Sequence, residues 1–543
     1  MDNTSVETLE SQDPKVFIKS ITFNDGTTIQ LDNSSIIVFT GANNCGKSQV
    51  LRDIDRYLQN DGSANPKVLS SLESEFIGTI ADVEKLFEHG DNGNLIFAQS
   101  TLSPDNLKIF WDRKRLTGYS KLFIGLLNTE QRLITSNRQQ ALDFTKEQPQ
   151  HPIHTIYLDD DIAKIISDYF YKAFSTDLIV SKGAGAVIPL YVGDRPTFEN
   201  GEDRVSSTYM KKLSALPLLE QQGDGMRSFA SVLLDTFTSH HTVTLIDEPE
   251  AFLHPPQARL LGKMLAKSNP AMRQLFISTH SEDFLNGLLD ADNENVKVIR
   301  IDRVVNINKM SVLSNDKVKE LWNNPLLRYS NILSGLFHEK VVVCESDYDC
   351  LFFQAIIDAI YDNSDEIAPD IMFTHCGGKD RLDIVVAALK ALDVTVMAVA
   401  DFDVLNNSTK LKDIVSAFGI DWDSQLSSPM KTIYDMVNGK QGGWESLKRV
   451  GKAGFEGDAP SAYDAVETIC ISQGFFVVPC GEIECFDRTV NKSKKEWVYN
   501  VLENYDLMNE PKLSVARDFV KSIIEFKPLT IITEGSNAIG AAQ

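Results

Sequence analysis

The chain has 543 residues, enough for roughly three or four domains, and its 43% hydrophobic and 24% charged content is that of a globular protein. Its 76 acidic against 53 basic side chains give a formal charge of −23, which excludes a protein that coats nucleic acid through a general cationic surface. The acidic start MDNTSVETLESQD lacks the apolar stretch of a secretory signal, and no run is long enough to span a membrane. Seven cysteines without CxxC spacing argue for a reducing, cytoplasmic setting and against a structural zinc site.

Ser35–Thr40 is predicted as a buried strand and Lys47–Leu58 as a helix, joined by Gly41-Ala42-Asn43-Asn44-Cys45-Gly46-Lys47-Ser48. A G-x-x-x-x-G-K-S run between strand and helix is a phosphate-binding loop. Its glycines let backbone N–H groups turn inward, and the helix N-terminus adds partial positive charge. Asn43, Asn44, Gly46, Lys47, Ser48 and Gln49 are the candidate nucleotide contacts, with Lys47 on the terminal phosphates and Ser48 on Mg²⁺. Residues 60–210 mix strand-like NLIFAQS and AVIPLYV with helix-like DDDIAKIISDYFYKAF, show no sustained heptads, and are expected as an inserted segment. Gln222–Ser228 opens a further helix that runs through Leu234. Thr242–Ile246 is an apolar strand ending at Asp247-Glu248. Beside a phosphate loop, Asp247 suits Mg²⁺ through water, and Glu248 suits orienting and deprotonating an attacking water. Gln274–Ser278 is another strand and ends at Thr279-His280.

Composition changes at NNPLLRYSNILSGLFHEK, which sets domains at 1–325 and 336–543. Lys340–Cys344 reads as a strand with Glu345 at its end and Asp349 in the helix that follows. A second strand, a Gly-Gly-Lys turn, a helix and a further strand lead to Asp401-Phe402-Asp403. Such alternation implies a parallel sheet whose carboxyl ends form the ligand crevice. Glu345, Asp349, Asp401 and Asp403 are therefore expected to converge, and a carboxylate cluster calls for hard cations, Mg²⁺ or Mn²⁺. Residues 404–470 are expected as a loop-rich surface insertion, with a DNA-contacting flap as the alternative, because Lys440, Lys448, Arg449 and Lys452 give it local positive charge.

The order of phosphate loop, Asp247-Glu248 and His280 resembles the ABC-type ATPase heads of the structural-maintenance-of-chromosomes (SMC) and RecF group. That resemblance implies a Walker B role for Asp247 and Glu248, a D-loop at Glu250–Pro255 and a switch histidine in His280. It also implies a signature turn at Gly223, Asp224 and Gly225 that binds the γ-phosphate of a second copy, although Gly223 stands where the group has serine. Heads of this kind pair, which implies a homodimer or higher even oligomer. Glu345-Ser346-Asp347-Tyr348-Asp349 followed by D-x-D resembles the TOPRIM fold, with Ser346 where that family often has glycine.

An ATPase head followed by TOPRIM is similar to the OLD (overcoming lysogenization defect) family, across motifs from residue 15 to about 490. The expected fold class is α/β, an ABC-type ATPase head followed by a C-terminal TOPRIM domain with a parallel sheet. The resemblance adds a further acidic motif after the Phe475–Pro479 strand, with Glu484 ahead of Glu482 as metal ligand. It adds a lysine for the transition-state phosphate, Lys512 ahead of Lys521. It implies ATP and Mg²⁺ or Mn²⁺ as cofactors, DNA as partner and no membrane, in an endonuclease of anti-phage defence. A helicase-like subunit, or a retron reverse transcriptase with its RNA–DNA product, is the candidate defence partner. The sequence leaves open a non-cutting, ATP-gated clamp of the RecF kind, which would leave Glu345, Asp401 and Glu484 without a role. It also leaves open a topoisomerase or primase, for which no separate DNA-binding domain is evident.

Overall fold

The computed structural model describes residues 13–528 apart from 60–64, 91, 98–99, 146, 184, 200, 305–306, 314–317, 319–323, 325–331 and 363. The chain forms two compact units, Met1–Lys319 and Glu320–Gln543. The junction expected between 325 and 336 falls largely outside the described residues.

The first unit is built on a six-stranded sheet in the order Ile307–Leu313, Val296–Val304, Ile36–Thr40, Gln274–Ser278, Val243–Asp247 and Ile124–Leu127. All neighbours are parallel except the first two strands, which form an antiparallel hairpin. Ile36–Thr40 and Gln274–Ser278 are buried along their whole length, as central parallel strands covered on both faces must be. The Lys47–Gln59 helix buries Val50, Leu51, Ile54 and Leu58, one stripe of a 3.6-residue period. A smaller antiparallel sheet sets Lys15–Phe23 between Thr28–Gln30 and Leu69–Ile77. Residues 60–210 are therefore not a simple insertion. Leu69–Ile77 belongs to the small sheet, and Ile124–Leu127 extends the large one beside the Val243–Asp247 strand.

The second unit holds a four-stranded, all-parallel sheet in the order Ile371–His375, Lys340–Cys344, Thr395–Ala400 and Phe475–Val477. Residues 404–470 are helical rather than loop-rich, with helices Ser408–Ala417, Ser427–Gly439, Gly443–Leu447 and Ala459–Gln473. Leu411, Ile414 and Val415, then Met430, Ile433 and Val437, recur at helical spacing and are buried. The glycine-rich stretches that suggested loops are the turns between these helices. Its expected positive charge is mostly neutralised, because Lys440, Lys448 and Lys452 pair with Glu456, Glu482 and Glu467. Among the described residues no helix is long and apolar enough to cross a membrane.

Candidate nucleotide and carboxylate sites

In the first unit the phosphate loop leaves the central strand and enters the Lys47–Gln59 helix, as its sequence requires. Gly41 has φ +141°, and a Cβ there would lie 2.2 Å from the Ile301 carbonyl oxygen, so only glycine fits. Asn308 donates to the Cys45 carbonyl and so braces the loop from the Ile307–Leu313 strand. Lys47 is buried, and its Nζ donates to the Gly41 and Ala42 carbonyls at 2.8 and 2.9 Å. Asn43 and Asn44 are exposed on the loop, and Ser48 follows in the first helical turn. The Gln49 amide is committed elsewhere, donating to Asp53 at 2.7 Å.

Asp247 and Ser278 are register partners on adjacent strands, and the Ser278 hydroxyl donates to Asp247 Oδ1. The backbone then turns sharply, with Glu248 at φ +49° and its N–H donating to Ser278 Oγ at 3.2 Å. His280 Nδ1 lies 3.4 Å from Glu248 Oε1 and 3.4 Å from Glu250 Oε1. This contact lifts the imidazole above its usual range and holds the Glu248 carboxyl below its own. Buried Glu250 accepts from Thr279 Oγ1 at 2.7 Å and from the His280 N–H at 3.0 Å, which fixes the histidine.

Sequence reasoning missed Arg132, which is fully buried and donates to the carbonyls of Asp247 (2.6 Å) and Glu248 (2.8 Å) and to Ser228 Oγ (3.0 Å). It thus ties the acidic strand end to the helix Asp224–Thr238. Gly223 caps that helix with no side-chain hydrogen bond, and Asp224 pairs with Arg227 at 3.1 Å. A Cβ on Gly225 would lie 2.7 Å from the Phe252 carbonyl oxygen, so the turn packs directly on the segment after Glu250.

In the second unit the parallel register aligns the strand ends. Glu345 follows Cys344, Asp401 follows Ala400, and the Asp401 N–H donates to Glu345 Oε1 at 3.0 Å. Ser346 and Asp349 form a capping box at the start of the Asp347–Tyr361 helix, which leaves Asp349 Oδ1 for Lys494 Nζ at 2.8 Å. The same ammonium reaches Asp401 Oδ2 at 3.1 Å. Burial, reinforced by Asp403 and Asp349, pushes the Glu345 carboxyl up to about 7. Burial also raises Asp401 well above the usual carboxylate range, with Asp349 and Glu345 adding to it and Lys494 opposing. Burial alone would lower the Lys494 ammonium, but Asp401 and Asp349 carry it above its ordinary value. Asp403 pairs with Lys379 at 3.0 Å.

Glu484 is half-buried on the turn after Phe475–Val477, and burial raises its carboxyl, with Lys494 and Asp349 among the charges it feels. Glu482 is engaged instead by Lys448 at 3.1 Å. Neither expected lysine stands at the cluster. Lys512 Nζ donates to Thr489 Oγ1 at 2.8 Å and lies 3.5 Å from Asp487, while Lys521 is exposed on the Ser514–Glu525 helix. The lysine that reaches the carboxylates is Lys494, the first residue of the helix after the acidic turn.

Among the described residues no three histidine, cysteine or carboxylate groups stand close enough to hold an ion as arranged. The donor chemistry nevertheless fits a hard divalent cation. Glu345, Asp349, Asp401, Asp403 and Glu484 offer only carboxylate oxygens, and Glu345 and Asp401 are raised partly by their acidic neighbours, a repulsion such an ion relieves.

A family model described as an AAA domain, putative AbiEii toxin, type IV TA system, matches residues 36–286. The overcoming-lysogenization-defect protein-like TOPRIM domain matches residues 336–403. Fold and matches together define the class, an α/β AAA-type ATPase domain followed by a C-terminal TOPRIM domain. The Old nuclease of Escherichia phage P2 is 26% identical over 40% of this chain and 37% of that protein. The OLD nuclease of Thermus scotoductus is 28% identical over 30% of each. With both domains in this order, the chain is similar to the OLD family of ATPase–TOPRIM proteins. The matched regions span only about a third of the curated relatives' lengths. The SMC head domain from Thermotoga maritima is 12% identical at a TM-score of 0.29, covering 56% of this chain and all of that one.

Proposed function

We propose that this chain is an ATP-hydrolysing, divalent-metal-dependent DNA endonuclease whose nuclease step is gated by its ATPase head, and that it serves anti-phage defence. The observation that carries this reading is the carboxylate set at the carboxyl ends of a parallel sheet, with buried Asp349 and Asp401 sharing Lys494 and half-buried Glu345 held by the Asp401 N–H. A structural ion pair does not call for two buried carboxylates on one ammonium with further acids beside them, whereas phosphodiester hydrolysis needs both oxygen donors for ions and a fixed cation for the phosphate. Glu345, Asp349, Asp401, Asp403 and Glu484 would hold Mg²⁺ or Mn²⁺. Such ions, when bound, activate water and stabilise the leaving oxygen.

The chain's own groups do the rest. The Asp401 N–H fixes the Glu345 carboxylate, the capping box fixes Asp349, and Lys494 presents positive charge to a scissile phosphate. In the head, Lys47 and the loop N–H groups would bind the phosphates of ATP. Glu248, oriented by His280, would take the proton of the attacking water. The exposed signature turn would complete the site of a second copy.

Nicking and linearisation of supercoiled plasmid with Mg²⁺ or Mn²⁺, with and without ATP, tests the proposal. Wild type is expected to cut, and Asp401→Ala to lose cutting while hydrolysing ATP normally. An uncut plasmid in every lane, with ATP hydrolysis intact, would replace the nuclease reading with the non-cutting clamp.

A further inference from the structure

Several cations of the second unit are held by acids. Lys379, Lys440, Lys448, Lys452 and Lys494 each face a carboxylate within 3.1 Å. The segment that opens the Lys494–Asn504 helix presents two lysines that are not, beside an exposed aromatic ring. Lys492 and Lys495 are exposed, and among the described residues neither has an ion-pair partner. Tyr499 lies four residues beyond Lys495, on the same helical face and about 6 Å along the axis. Tyr499 is 45% exposed. Tyr348, in the first turn of the Asp347–Tyr361 helix, meets Tyr499 edge to face at 6.4 Å and backs it with a ring packed partly buried against the core. Both rings therefore stand on the two helices that carry Asp349 and Lys494.

We propose that Lys492, Lys495 and Tyr499, backed by Tyr348, bind a single-stranded DNA segment beside the carboxylate site. A free ammonium and a supported aromatic face at this spacing suit a phosphate and the base that follows it. A base inside a duplex is stacked on both faces and cannot take the Tyr499 ring. In a chain of charge −23, unpaired lysines beside a carboxylate cluster also give a polyanion its local approach. The identity of the ligand rests on the nuclease reading above, and it moves the DNA contact from the helical insertion to the Lys494–Asn504 helix.

Fluorescence anisotropy of the full chain with a labelled oligothymidine, in EDTA over a salt series, tests this surface. Tyr499→Ala is expected to weaken single-strand binding about 5- to 150-fold, the range of one lost stacking contact, while Tyr499→Phe binds as wild type. Removing Lys492 and Lys495 together should reduce the salt slope by about 0.7 for each lysine. Lys448→Ala with Arg449→Ala in the insertion should change neither quantity. Wild-type affinity in Tyr499→Ala, a Tyr499→Phe as weak as Tyr499→Ala, or no single-strand binding by wild type would each overturn the inference. Plasmid cutting separates the two readings. Loss of affinity in Tyr499→Ala without any wild-type cutting retains this surface and discards the nuclease, and normal cutting with an indifferent Tyr499→Ala does the reverse.

Discussion

Lys494 carries more of the proposed chemistry than any residue the motifs pick out, and it lies in a stretch, NKSKKEW, that reads as an ordinary solvated lysine run. Its role comes from geometry. The helix begins at Lys494 itself, and the buried Trp497 indole N–H donates to the Asp487 carbonyl at 3.0 Å, which sets the rotation that turns residue 494 inward and 495 outward. Glu345 and Asp401 were legible because an apolar strand that stops at an acid marks its own carboxyl end. Lys494 and Arg132 were not, since an isolated cation in a short helix has no pattern to distinguish a buried partner from water. Lys494→Met is expected to lower the DNA cleavage rate about 100- to 1,000-fold, the scale of losing one preorganised transition-state contact. Lys512→Met should leave it within a few-fold, because that side chain serves Thr489 and Asp487. Equal losses in the two variants, measured by single-turnover plasmid nicking, would remove Lys494 from its assigned place.

Strands and their ends were the readable elements here, and helices interrupted by glycine were not. The 404–470 segment shows why, since its apolar residues come in short groups of three and the turns between them dominate the composition. Helix Pro152–Leu158 shows a second kind of hidden constraint. Its N-cap is His151, whose Nδ1 accepts the Ile153 N–H at 3.2 Å and so must be unprotonated. Burial, helped by the neighbouring His154, pushes the His151 imidazole down to about 4 from an ordinary value of 6.5. A lowered folded-state value means that the unfolded chain takes the proton first as pH falls. The stabilisation is therefore complete above about pH 6.5 and lost progressively down to about pH 4. A lowering of this size bounds the effect at about 3 kcal/mol. His151→Asn keeps a capping acceptor but does not titrate. Denaturant unfolding of that variant between pH 6.5 and 4 should show a correspondingly shallower loss than wild type, and parallel curves would exclude His151 as the cause.

Considered as one molecule, the chain carries a proposed ATP site with exposed groups beside it. The proposed signature turn begins a fifteen-residue helix at an exposed glycine without a side-chain cap, so its first N–H groups are open to an acceptor. Beside it Phe252 is 54% exposed, and it adopts φ +70°, a costly conformation for an aromatic residue. An apolar ring and uncapped N–H groups on one surface suit a second nucleotide-loaded copy better than water, even though two chains of −23 repel one another. ATP-dependent pairing should therefore be weak in low salt and stronger as salt screens the repulsion. Glu248→Gln removes the proposed base while leaving Lys47 and its loop intact, so it should hold ATP unhydrolysed and accumulate the pair. Light scattering is expected to give twice the chain mass for Glu248→Gln with ATP and Mg²⁺, and a single chain mass for Lys47→Ala under the same conditions. Phe252→Asp in the Glu248→Gln background should return the mass toward one chain. A Glu248→Gln protein of the same mass with and without ATP would mean that nucleotide does not drive pairing, and head closure could not then be what gates the carboxylate site.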